Sequence, residues 1–286
     1  MNLRHCLLFA FAALPGAPVH GADAAPPVET MAEHRLKEIV QHQKDILADA
    51  AAQGDNMEQA ALQNRAEGLT REYESLIKDN PQFAAGFTSY GYFLWKIGMR
   101  KQAAKMLLKA NELDPDIPLV KNELGNYLAE EGKPLEALNY FLAATKLEPN
   151  EPLYHYEIGK LLHEARDDFI KSGEWTQASI DHGMQDAFRI AAELAPDRIE
   201  FTYRYAESFY DMEDPDWSLA LKQWRKLEAG GQSEIERETM RLHEVNVLIF
   251  MGKRDEARTV LDSIKDPSLG AQKQKLVARL APTAEK

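Results

Sequence analysis

A period of 34 residues constrains this chain more than any other feature it carries. Laying Ser89–Pro115 over Glu123–Pro149 puts Gly91 on Gly125, Leu94 on Leu128, Gly98 on Gly132, Ala103 on Ala137, Leu107 on Phe141, Ala110 on Ala144, Leu113 on Leu147 and Pro115 on Pro149. Self-similarity at such a spacing marks a unit that cannot bury its apolar face alone and must stack on copies of itself. Within each period a small residue falls where two helices have to touch, a glycine falls at the turn and a proline closes the second helix. The unit meeting these conditions is a helical hairpin, so the expected fold is all-α, built of stacked helix-turn-helix hairpins. No stretch alternates in the manner of a strand.

The pattern resembles the tetratricopeptide repeat family. Five units follow it, at 84–117, 118–151, 152–198, 199–233 and 234–267. In the third, Ile158, Gly159 and Leu162 arrive on schedule, but Phe188, Ala191, Leu194 and Pro196 stand 47 residues after Phe141, Ala144, Leu147 and Pro149, an excess of 13. Thirteen residues are close to two extra turns on each helix at about 3.6 residues per turn, which predicts a long hairpin with its tip near Ser172–Gly173. Ala206 takes the glycine's place in the fourth unit, and Gly252, Ala257, Leu261 and Ile264 mark the fifth. Ahead of the repeats, 29–82 reads as a helical pair, a capping hairpin or degenerate repeat; 268–286 reads as a closing helix and tail.

The resemblance implies a right-handed α-solenoid whose first helices line a concave groove that binds a protein or peptide. Residues off the Leu-Gly face then point into that groove: Thr88, Tyr92, Trp95 and Lys96; Asn122 and Asn126; Tyr156, Lys160 and His163; Tyr203, Arg204, Glu207 and Tyr210. Aromatics offer contact area at low entropic cost, and Asn can bond both polar groups of a peptide unit. Packing between helices is the competing reading for Tyr156, Tyr203 and Tyr210. The family's carboxylate clamp is not reproduced, because Thr88 and Asn122 stand where its first Lys would be, so a chaperone C-terminal tail is not the expected ligand.

Residues 1–22 read as a signal peptide: Arg4 and His5 precede the apolar run Cys6 to Leu14, and small residues follow. A linker at 23–28 carries Pro26 and Pro27. Export is therefore expected, to the periplasm or outside the cell in a bacterial source. Cys6 lies before the apolar run rather than after it, which argues against a lipid anchor.

Charge removes further classes. With 34 Lys and Arg against 46 Asp and Glu, the net charge is −12, so no nucleic-acid partner is expected from clustered cations. No apolar run reaches the roughly 20 residues of an integral membrane span. There is no G-x-S-x-G elbow, H-E-x-x-H, P-loop or dinucleotide fingerprint. His34, Glu38 and His42 share a helix face, and Asp211, Glu213, Asp214 and Asp216 crowd one turn, but solvated polar faces and helix starts account for both. No metal and no cofactor are expected. The chain reads as a non-catalytic scaffold for a protein partner. A structural or homo-oligomeric subunit of an envelope complex is the alternative, and a metal-dependent enzyme ranks last.

Overall fold

The computed structural model describes residues 29–53 and 59–281; the expected signal peptide, the linker, the break at Gly54 and the final tail lie outside them. The described residues form fourteen α-helices and two short 3-10 turns. The chain divides into two compact units, one ending at Leu147 and the other beginning at Glu148. The fold is all-α and of the α-solenoid class, with helices paired into hairpins in each unit.

The first unit holds three hairpins: α1 (Met31–Gln53) with α2 (Gln59–Asp79), α3 (Ala84–Lys96) with α4 (Arg100–Leu113), and α5 (Pro118–Glu130) with α6 (Pro134–Leu147). The helical pair expected at 29–82 thus corresponds to α1 and α2, where Ile39 and Ile46 meet Leu62, Leu69, Tyr73 and Leu76 in one core with Phe93 and Leu94 of α3. Leu107, Ala110, Val120 and Leu124 carry that core on to the next hairpin. Each fully buried Leu or Phe here contributes about 1.5–3 kcal/mol.

The recurring small residue has a direct cause. A Cβ built on Gly91 would lie 2.8 Å from Leu107 Cγ, on Gly125 2.7 Å from Phe141 Cε1, and on Gly159 2.7 Å from Phe188 Cδ1. Each glycine therefore receives a bulky side chain from the second helix of its hairpin. Turn glycines serve the backbone instead, and Gly98, Gly132 and Gly252 adopt φ of +82°, +73° and +74°. There the chain closes alike three times, with Met99 N–H on Leu94 O, Lys133 N–H on Leu128 O and Lys253 N–H on Leu248 O, each at 2.9 Å. Such six-residue closures satisfy carbonyls that a helix end leaves bare.

The second unit contains α7 (Pro152–Glu164), α8 (Arg166–Lys171), α9 (Gln177–Leu194), α10 (Ile199–Ser208), α11 (Trp217–Gly230), α12 (Glu234–Phe250), α13 (Arg254–Ser263) and α14 (Gly270–Leu280). The 13 extra residues of the third repeat do not lengthen both arms. α7 keeps the 13 residues of α3 and α5; the excess forms the separate helix α8, a turn at Gly173 with φ +78°, and four residues more in α9 than in α6. Burial decides this. Phe169 of α8 is wholly buried, with Trp175 edge-on at 5.6 Å, so folding the insertion back covers rings that straight arms would leave in water. Thr176 and Ser179 then start α9 with reciprocal capping bonds.

Candidate functional site

In the first unit, the inner face of α3 and α5 sorts the expected groove residues by depth. Tyr92 is half-buried, and the Lys96 ammonium lies 4.9 Å from its ring centre. Lys96 and Asn126 are half-exposed, and among the described residues neither makes a hydrogen bond or ion pair. Thr88, Trp95 and Asn122 are corrected: all three are buried, with Asn122 only 1% exposed. The Thr88 hydroxyl donates to Ala84 O one turn back at 3.0 Å, which satisfies it inside its own helix. Trp95 joins the core of α1 to α3, and the Arg100 guanidinium caps its ring at 3.8 Å while bonding Trp95 O. Asn122 gives its amide N–H to Glu123 Oε1 at 3.3 Å. Helical phase does not record depth, which the neighbouring hairpin set.

In the second unit the aromatic candidates turn to one another. Tyr156 packs against Phe188 and Phe201, with ring centres 5.6 and 5.1 Å away. The Tyr203 hydroxyl meets His243 Nε2 at 2.9 Å, and the Tyr210 hydroxyl donates to His243 O at 3.3 Å. His243 itself stacks on Trp224 with ring centres 3.9 Å apart. Burial pushes the Tyr210 hydroxyl up to about 12 and the His243 imidazole down to about 4, so both are neutral near pH 7. Trp217 and Phe250 close the cluster as a parallel pair 4.4 Å apart, with Arg279 of α14 over Phe250.

Two of the charged candidates, His163 and Arg204, converge on Asp211. Its carboxylate accepts from Arg204 at 2.9 Å and lies 3.4 Å from His163 Nδ1, and its carbonyl accepts from Arg166 at 2.8 Å. Arg204 also rests on the Phe188 ring and reaches Glu207 at 3.5 Å. Lys160 is exposed and pairs with Glu157 at 3.4 Å. The acidic turn has local employment, since Asp216 caps α11 through Leu219 N–H and the turn is tied to α9 by Glu213 N–H on Asp181. In α1, His34 faces Glu38 at 3.4 Å, but His42 turns to Glu72 of α2 at 3.0 Å. Among the described residues no group of three or more His, Cys, Asp or Glu could hold a metal ion, and no helix is long and apolar enough to cross a membrane.

Three residues of this surface escaped the sequence reading: His243, Asn246 and Phe250 on α12. A signal existed, because Asn246 stands six residues before the turn glycine Gly252, as Tyr92 does before Gly98 and Asn126 before Gly132. That count marks Asn246 in the fifth repeat.

Comparison with known proteins bears on the fold. The family model for the tetratricopeptide repeat matches residues 84–117. No curated protein matches the sequence. Among solved structures, that of Pseudomonas aeruginosa pilF is similar with TM-score 0.55 at 16% identity, over 86% of this chain and 99% of that one. A chain in the structure of Naa15/Naa10 bound to HypK-THB is similar with TM-score 0.56 at 14% identity, over 88% of this chain and 34% of that one. The chain therefore spans about a third of the latter's length, and identities this low establish the fold alone. With a matched repeat at 84–117, the chain carries a tetratricopeptide repeat, and the same 34-residue spacing runs on through further hairpins of a fold similar to these structures.

Proposed function

We propose that this protein is a non-catalytic, exported scaffold that holds an extended segment of a protein partner against the inner face of its first helices. The observation that carries the reading is the trio Tyr92, Lys96 and Asn126 in the first unit. These three side chains stand at positions that helical phase assigns to the groove, are part-exposed, and among the described residues keep their polar ends free of hydrogen bonds and ion pairs. An amide, an ammonium and a phenol at one face supply donors and acceptors to a peptide backbone together with apolar area. Export rests on the n-region, apolar run and small residues of 1–22.

A photo-crosslinking residue at Tyr92, in protein expressed with its leader in the native host, tests both parts. A crosslinked partner that the Lys96→Ala, Asn126→Ala double variant loses supports the groove. Crosslinks unchanged in that variant reject it, and protein retained at full length in the cytoplasm rejects export.

Assembly is the second reading, favoured by exposed apolar side chains on the second helices. Leu108 and Leu142, one repeat apart, are 46% and 49% exposed, and Ile170 on the inserted α8 is 38% exposed. Deleting 170–176 and measuring mass by light scattering separates the readings, because only assembly requires the mass to change.

A further inference from the structure

The outer faces of the second helices are not alike from repeat to repeat. Opposite the buried Ala103 and Leu107, α4 exposes Lys101, Lys105 and Leu108. One repeat on, α6 exposes Leu135, Leu142 and Lys146. Both hairpins stack within the first unit, so equal repeat positions share a side. Leu108 and Leu142 hold the same position and are 46% and 49% exposed. Among the described residues Lys101, Lys105 and Lys146 make no hydrogen bond or ion pair, whereas the nearby carboxylates of Glu112 and Glu136 are matched by Lys109 and Lys133. The other second helices lack this combination at the same positions. α2 balances Arg71 and Lys78 against Glu67 and Glu74. On α9, Arg189 is bridged to Asp186 and Glu193. On α11, Arg225 beside Lys222 is bonded to Glu244 at 3.0 Å, and α13 shows Asp255 and Asp262. None of these four faces exposes a leucine there.

We propose that the outer face of α4 and α6 is a docking surface for an anionic lipid bilayer, with Leu108 and Leu142 entering the headgroup layer and Lys101, Lys105 and Lys146 meeting lipid phosphates. Charge and side-chain type favour lipid over a protein partner. Lysine is a point charge on a flexible stem, so it reaches phosphates in many arrangements while its methylenes lie along apolar surface. Arginine, whose fork fits a protein carboxylate in one fixed geometry, is absent from this face. Leucine set among lysines is also the composition of helices that lie in the headgroup layer of anionic membranes. The net charge of −12 opposes approach, but charges more than about 8–10 Å away are screened at physiological salt, so the local face decides. Docking through second helices leaves Tyr92, Lys96 and Asn126 on the first helices to their partner. The surface is tested without that partner, so it stands or falls apart from the groove.

The experiment places a bimane fluorophore at Leu142→Cys in the full chain, with Cys6→Ser so that no other thiol is labelled, and adds vesicles whose acyl chains carry bromine as a quencher. Vesicles of phosphatidylglycerol with phosphatidylcholine should quench the bimane, and phosphatidylcholine alone should not. A lysine near an anionic surface strengthens binding about fivefold, so the triple variant Lys101→Gln, Lys105→Gln, Lys146→Gln should need roughly 100-fold more lipid. A bimane at Asp262→Cys, at the same repeat position on α13, should stay bright. No quenching at Leu142 overturns the proposal and leaves the lysines to an acidic protein segment. Equal quenching at both sites also overturns it, because the apolar run Cys6 to Leu14 would then be carrying the chain to lipid without this face. Quenching that the triple variant keeps unchanged overturns it as well. A mass that falls in the Leu108→Ser, Leu142→Ser variant by light scattering gives the face to a second copy and overturns the bilayer.

Discussion

Tyr203 and His243, forty residues apart in sequence, meet hydroxyl to imidazole with 2.9 Å between them. Trp224 covers the imidazole face and Tyr210 bonds the His243 carbonyl, so the ring is held neutral in a largely apolar enclosure. Its folded value, about 4, is below the usual 6.5. The stability it contributes is therefore complete above 6.5 and is lost as pH falls toward 4, where the unfolded chain binds the proton first. We expect the imidazole carbon signal to titrate near 4 in the folded protein. We also expect His243→Phe to abolish this acid-side loss while costing about 1 kcal/mol at pH 7.5 for the missing hydrogen bond. An imidazole titrating near 6.5 would contradict the enclosure.

Glycine substitutions should separate by what each Cβ would meet. Gly125→Ala drives a Cβ to within 2.7 Å of Phe141 and should destabilise the protein by about 1–3 kcal/mol. Gly68, inside α2 with nothing within 4 Å, should tolerate alanine and gain up to about 1 kcal/mol from helix propensity. Urea unfolding of the two variants checks the opposite signs.

Gly132 poses a purely conformational case. Its Cβ would meet nothing within 4 Å, yet φ is +73°. Gly132→Ala should cost about 1–2 kcal/mol through left-handed strain, with Gly132→Asn less harmful. Equal melting temperatures for Ala and Asn at this position would argue that the turn rearranges.

Glu238 is a buried carboxylate that ties the segment before α14 to α12, accepting from Lys265 N–H at 2.9 Å and from Asp266 N–H at 2.7 Å. Removing the acceptor strands two backbone donors, and hydrogen bonds to charged groups are worth roughly 1.5–3 kcal/mol each. Glu238→Ala should therefore release α14 ahead of global unfolding. Limited proteolysis should cut near 263–269 in this variant and not in wild type, and equal resistance would show the tie to be dispensable.

Much of the fold was legible in the residues. Gly91, Gly125 and Gly159 announced helix contacts because only a missing side chain lets Leu107, Phe141 and Phe188 approach so closely, and that need leaves a trace at fixed spacing. The insertion near Ser172–Gly173 was legible in length and tip but not in shape, because Phe169 chose its partner, Trp175, through the fold. The depth of the candidate groove residues was not legible. Thr88, Trp95 and Asn122 share helical phase with Tyr92, Lys96 and Asn126, and their burial comes from neighbouring side chains that phase does not record.

Period, hairpin, turn glycine and helix stop are local relations within a few turns of one chain, and the sequence alone determined them because backbone geometry and small side chains act at short range. Which polar groups stay free, which carboxylates are buried and which imidazole remains neutral were decided only by tertiary structure. Each depends on the dielectric surroundings and partners supplied by another helix, as Arg225 does for Glu244 and Tyr203 for His243.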